Sequence, residues 1–328
     1  MLHSFLYRKG KPLETNLSRA QMLAVLQEKD VLLWVDLEEP SDFESETLVE
    51  IFNFHDLAVE DCVNDQSQPK VDDYEEYLFM VMHAVRLMCD EEKKVQTLLS
   101  DELDIFLSKN YVVTFHKVPI KSVQQIREIT HKKPEAIMGH GPDMLVHSIL
   151  DRLVDSYQPV IDEYDDAINR IEDEIFIDRQ SKEDLSGIMQ IKRDLFNLRR
   201  VVAPQRDTIN FLTRNPTAFI KTRNMIYFRD IYDHLFRIYG SVEGFHEMIT
   251  GILQAYFSYS SHLLNRTIQR MTVMATLSMP AIMIASIYGM NFKHMPELAW
   301  QFGYPFSFAL MAGTSLILLI WMKIKKWI

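Results

Sequence analysis

Two uncharged stretches, Met271–Phe292 and Leu298–Met322, stand almost back to back at the C-terminal end of the chain. A hydrocarbon core demands roughly 20 apolar residues of helix to cross it, and both stretches are long enough. With no water inside a bilayer to satisfy backbone groups, such segments are restricted to helices or a closed barrel. The pair reads as a helical hairpin: a first span over 271–291, an outer loop over 292–303, a second span over 304–322 and a basic tail over 323–328. Bulk composition conceals this. The sequence is 25% charged with a net charge of −11, and its mean hydropathy is −0.10, because charge thins out only after Arg270.

Orientation follows from where the cations sit. Arg266 and Arg270 precede the first span and Lys323, Lys325 and Lys326 follow the second, whereas the loop offers Lys293 alone against Glu297. By the positive-inside rule the N- and C-termini face the cytoplasm and the loop faces out of an inner or plasma membrane. Residues 1–9 lack the apolar run of a signal peptide, which leaves the long N-terminal part cytosolic. Cys62 and Cys89 cannot build a disulfide framework and read as buried free thiols.

The N-terminal part mixes periods. Val31–Val35, Tyr77–Met88 and Asp104–Ser108 read as strands, the last forming a hairpin with Tyr111–Phe115 that turns at Lys109-Asn110. Helices are expected over Ser18–Glu28 and Asp42–Phe54, with Ser18 and Ser41 as N-caps. This makes 1–140 a cytosolic α/β domain. It carries no glycine-rich phosphate loop, Cys/His metal cluster or nucleophile elbow, and His55-Asp56 reads as structural, so no enzyme and no nucleic-acid partner are expected. From Pro142 the chain turns helical, with Met144, Leu145, Ile149, Leu153, Val160 and Ile161 on an apolar stripe. Acidic antiparallel helices are expected over 141–221, interrupted at Pro204 and broken at Arg214-Asn215-Pro216. Residues 150–178 hold ten acids against Arg152 and Arg170, either a solvated face or a collar that concentrates cations. From about Thr222 one helix can run to Asn291, with 222–270 as its cytosolic part. At 1.5 Å per residue that is a rod of roughly 100 Å, which needs copies of itself to pack against.

Several motifs carry a family resemblance. Tyr288-Gly289-Met290-Asn291-Phe292 closes the first span, and Met295-Pro296-Glu297-Leu298 follows in the loop. The tail Lys323-Ile324-Lys325-Lys326-Trp327-Ile328, the stretch Phe228-Arg229-Asp230-Ile231-Tyr232-Asp233-His234, and His55–Asp61 with Pro69-Lys70-Val71 complete the set. Together they resemble the magnesium-type branch of the CorA family of magnesium and cobalt transport proteins. The resemblance implies a funnel-shaped homopentamer in which five copies of the first span line a passive, potential-driven pathway for hydrated Mg²⁺, with Co²⁺ and Ni²⁺ as further cargo. It assigns the selectivity filter to Gly289, Met290 and Asn291, and an outer-loop role to Glu297.

The residues of the span fit a pore lining. Asn265, Ile268, Thr272, Ala275, Met279, Ile282 and Ser286 fall on one stripe at helical spacing, with Met271 beside it. Small or weakly polar groups there alternate with apolar constrictions, a pattern that helix packing alone also produces. Neither span holds Asp, Glu, His or Cys, which excludes charged coordination of a bare ion inside the membrane. Mg²⁺ gives up its water reluctantly, so an asparagine amide ring suits it by gripping first-shell water. The resemblance further implies a regulatory cytosolic Mg²⁺ site between subunits, with Asp230 on one side and Asp90, Glu91 or Glu92 of the adjacent α/β domain on the other. Two alternatives stand beside this reading. One is a proton-coupled Zn²⁺ transporter of the related zinc branch, whose triplet typically has Ile where Met290 stands. The other is a scaffold merely tethered by its spans.

Overall fold

The computed structural model describes residues 1–64, 67–90, 95–176, 185–291 and 293–327. They form two compact units, Met1–Ile252 and Leu253–Ile328. The first unit is built on a seven-stranded sheet: β1 (Leu2–Arg8), β2 (Glu14–Thr15), β3 (Val31–Glu38), β4 (Lys70–Asp73), β5 (Leu78–Asp90), β6 (Val95–Leu107) and β7 (Tyr111–His116). Their order is β2-β1-β3-β7-β6-β5-β4, and β3 runs parallel to β7 while every other pair is antiparallel. The β6–β7 turn falls at Lys109-Asn110 as expected, closed by Ser108 N–H donating to Tyr111 O at 3.0 Å.

Alternation along the strands sends side chains to two covered faces. Leu33, Val35, Phe79, Val81, Phe106 and Phe115 join one core, shared with α1 (Arg19–Leu26), α3 (Thr47–Glu50) and α4 (Asp56–Val63), while α2 (Asp42–Ser45) adds no buried residue. Ser18 caps α1 in a reciprocal box with Gln21, and Ser41 caps α2 with Glu44. The helix expected over Asp42–Phe54 is instead two short turns meeting at Glu46, the second of which buries Thr47 and Leu48. His55 is indeed structural: its Nδ1 accepts from Leu57 N–H at the start of α4.

Trp34, Met80, Met82 and Ile105 are buried on the opposite face, under α5 (Lys121–Lys132), α6 (Pro134–Met138) and α7 (Pro142–Asp155). The chain therefore turns helical at Lys121 rather than at Pro142, with Val123, Ile126 and Thr130 as the buried stripe of α5. Two further helices follow, α8 (Gln158–Phe176) and α9 (Leu185–Arg214). Pro204 lies inside α9 and does not interrupt it. The carbonyl a proline leaves unbonded is four residues back, on exposed Arg200. The next residue, Gln205, is fully buried, accepts from His83 N–H at 3.1 Å and donates to the Tyr157 hydroxyl. This anchoring keeps the helix continuous.

A closed polar network sits on the parallel pair. Asp36, with no exposure, accepts from Thr114 Oγ1 at 2.6 Å and from Arg127 Nη1 at 3.0 Å, and faces His116 Nε2 at 3.1 Å. Glu38 completes it by accepting from Gln124 at 2.8 Å and from Arg127. The hydrogen bonds and the guanidinium hold the Glu38 carboxyl below its usual range against the opposing pull of burial.

A last long helix, α10 (Met225–Tyr288), contributes to both units. In the first, Phe228, Ile231, Leu235, Ile238, Val242 and Phe245 form its buried stripe. Arg199 of α9 pairs with Glu243 at 2.7 Å, and the Arg206 guanidinium lies 4.4 Å from the Tyr239 ring centre. Buried Asp143 of α7 fixes the approach to α10 by accepting from Lys221 N–H at 3.1 Å and Asn224 Nδ2 at 2.8 Å.

Candidate functional site

In the second unit, the end of α10 is joined to α11 (Gly303–Ile324) by a loop containing a 3-10 turn over Pro296–Ala299. Both helices are long and apolar enough to cross a membrane. Several of their hydroxyls are satisfied by nearby carbonyls, as a helix in lipid requires. Thr272 and Thr276 donate to the carbonyls four residues back, at 2.8 Å each, and Ser278 does so at 2.9 Å. Ser315 of α11 reaches Leu277 O at 3.0 Å, holding the two helices together just before Pro280. Gly303 is required sterically: a Cβ there would lie 2.4 Å from Glu297 O. Trp300, Phe302, Phe306 and the Tyr304–Phe308 pair make an aromatic cluster at this end, where membrane interfaces favour such rings. At the other end Gln269 donates to Trp327 O, placing the basic tail beside Arg266 and Arg270.

Packing against α11 divides the surface of α10. Val273, Thr276, Leu277, Pro280, Ala281, Ile284 and Tyr288 are partly covered. The predicted lining residues Asn265, Ile268, Met271, Thr272, Ala275, Met279, Ile282 and Ser286 are all exposed. Gly289 continues the last turn, donating to Ala285 O at 3.0 Å, and Met290 donates to Ile287 O at 3.2 Å. A Cβ at Gly289 would approach Ala285 O to 3.3 Å, a tight fit that favours glycine. Asn291 follows, exposed, and Glu297 is exposed on its 3-10 turn.

The first unit holds a second arrangement. Asp151 and Asp155, one turn apart on α7, meet His234 of α10, with ligand atoms within 4.8 Å of one another. Asp230, one turn before His234, faces its Nε2 at 3.8 Å. His147, one turn before Asp151, is half-buried, and burial lowers its pKa against the pull of Asp151 and Asp230. Burial raises the Asp151 carboxyl, with Asp155 and Asp230 adding to the rise while His147 and His234 oppose it. Carboxylate oxygens suit Mg²⁺, and one imidazole adds affinity for Co²⁺ or Ni²⁺. The donors thus fit a divalent cation. Glu91, Glu92 and the Asp90 side chain lie outside the described residues.

The profile of the family described as CorA-like Mg²⁺ transporter protein matches residues 29–326. The chain belongs to the CorA family. The cobalt/magnesium transport protein CorA of Thermotoga maritima is 35% identical over 85% of this chain and 78% of its own length. The magnesium transport protein CorA of Wolinella succinogenes is 26% identical over the whole of both chains. Among solved structures, the CorA magnesium transporter of Methanocaldococcus jannaschii superposes with a TM-score of 0.83 over 99% of this chain and 98% of its own, at 20% identity. The CorA fold, a soluble α/β domain followed by a long helix and two C-terminal apolar helices, is therefore the fold of this chain. Asp230 was singled out from its motif, whereas Asp151, Asp155, His147 and His234 were not singled out as a group. Their signal was the one-turn spacing of carboxylates and imidazoles on two helices, but sequence does not say that the helices meet.

Proposed function

We propose that this CorA-family chain is one subunit of a homopentameric Mg²⁺ channel in a cell membrane, with both termini in the cytoplasm. The observation that carries this reading is the uncharged face of α10 that α11 leaves uncovered, ending at the exposed amide of Asn291. Five such faces around an axis enclose a path with no fixed charge, and a ring of five amides at its mouth grips hydrated Mg²⁺ through first-shell water. Met279 and Ile282 form apolar constrictions that gate by excluding water. Inward flow is driven by the membrane potential, about 2.3 kcal/mol per charge per 100 mV. The Met290 triplet and the Met295–Leu298 motif support the magnesium branch, with Co²⁺ and Ni²⁺ as further cargo.

Regulation follows from the cation cluster. Asp151, Asp155 and His234 hold a cytosolic cation with Asp230 beside them, and occupancy favours the closed state by its greater affinity for that state. Asp90 and Glu91 of an adjacent subunit remain the proposed partners of Asp230. Liposomes holding the purified protein, a Mg²⁺ indicator and a pH-sensitive dye test the activity. Potential-driven Mg²⁺ entry without proton movement is expected. Zn²⁺ entry coupled to protons, with no Mg²⁺ entry, would place the chain in the zinc branch instead.

A further inference from the structure

A cavity of about 590 Å³ lies in the first unit between β5, the start of α5, the end of α7 and the start of α8. Three features of its wall converge. The twelve-residue helix α5 begins without a side-chain cap, Ile120 occupying the cap position. Gln124 N–H is the first to find a helical acceptor, Ile120 O at 3.0 Å, so the N–H groups of Lys121, Ser122 and Val123 lack intrahelical partners. Ser122 also lines the cavity; it is 4% exposed, and its Oγ makes no hydrogen bond. Lys121 and Arg152 line the same wall, and neither enters an ion pair among the described residues.

Most of the remaining charges on the wall are engaged elsewhere: Arg86 is held by Asp101 at 2.6 Å and Glu163 faces Arg170 at 3.7 Å. Asp155, beside Asp151 and His234, is the one further acid on the wall. Against it stands a larger set of donors: three backbone N–H groups at the positive end of a helix dipole, one buried hydroxyl and two cations. A buried hydroxyl without a partner is unfavourable by roughly 1–3 kcal/mol, and an oxygen-rich anion would accept from it. We propose that this cavity binds a phosphate-bearing anion, received by the N-terminal N–H groups of α5, the Ser122 hydroxyl and the Lys121 and Arg152 side chains. The volume exceeds that of a phosphate ion, and Ala84, Pro119, Pro159 and Val160 give the rest of the cavity an apolar lining. Both orthophosphate and the phosphate tail of a nucleotide share the required chemistry.

Isothermal titration of the full-length, EDTA-treated protein in magnesium-free buffer, at ionic strength fixed with chloride, tests this. Removing Mg²⁺ prevents nucleotides from acting by chelation. Saturable binding of orthophosphate or ATP is expected, weakened roughly tenfold in Ser122→Ala and further in Lys121→Gln/Arg152→Gln. ATP binding at least tenfold tighter than orthophosphate identifies a nucleotide site, and comparable affinities identify the ion itself. Ser122→Ala keeps the wild-type melting temperature or exceeds it, because its hydroxyl bonds nothing in the fold. The proposal is overturned if neither anion binds saturably, or if all variants bind as tightly as wild type.

Discussion

Replacing Asp151 with Asn is the most informative perturbation of the proposed cation site at Asp151, Asp155 and His234. Asp151 and Asp155 present ligand atoms within 4.8 Å of each other. Asp155 is exposed, so their repulsion is set by a water-like dielectric and amounts to about 1 kcal/mol. The metal-free Asp151→Asn protein is therefore expected to be more stable than metal-free wild type by roughly that amount. Burial already drives the Asp151 carboxyl toward its neutral form, which the amide imitates. With Mg²⁺ at ten times its dissociation constant, wild type gains about 1.4 kcal/mol, or about 3–6 °C in melting temperature for a domain of this size. The variant loses most of this gain because one of two anionic oxygen ligands becomes a neutral amide oxygen.

Thermal melts of the purified full-length protein across a Mg²⁺ titration read both effects. In parallel, His234→Gln should keep most of the Mg²⁺ response but lose the extra stabilisation by Ni²⁺ or Co²⁺ that an imidazole provides. A Mg²⁺-dependent shift in Asp151→Asn equal to that of wild type would refute the cluster as the cation site.

Other sites give sharper local tests. Burial lowers the His83 pKa to about 4 against an unfolded value near 6.5. The unfolded chain therefore binds the proton first, and stability is full above pH 6.5 and lost as pH falls toward 4. By pH 5 the loss is about 2 kcal/mol, and His83→Gln should flatten that slope in chemical melts; an unchanged slope contradicts it. Arg127→Met leaves Asp36 and Glu38 without their guanidinium and should destabilise the fold by about 3–5 kcal/mol, read as a lower urea midpoint. Met279→Ser should hydrate the proposed apolar constriction and raise Mg²⁺ leak in liposomes; unchanged flux removes Met279 from the axis.

Local rules made much of the fold legible. The Lys109-Asn110 turn, the Ser18 and Ser41 caps and the membrane-length segments all follow from short patterns. Pro204 misled because the rule that proline breaks helices assumes nothing else holds them, whereas Gln205 is pinned to Tyr157 and His83 across the domain. The start of helical structure at Lys121 was missed because α5 has an apolar residue at its cap position and so lacks the usual signal. The stripe on α10 proposed as a lining was read from spacing, and its residues are exposed beside α11. The Asp151–Asp155–His234 cluster was not legible from spacing, since it depends on two helices meeting that lie some eighty residues apart in sequence.

The central claim is that an asparagine amide ring selects hydrated Mg²⁺. Its most direct test is Mg²⁺ uptake into liposomes carrying equal amounts of wild type and Asn291→Ala, each first shown to assemble as the same oligomer. The account predicts that the variant assembles normally and abolishes Mg²⁺ uptake at a fixed membrane potential. Near wild-type uptake by a correctly assembled Asn291→Ala protein would contradict it.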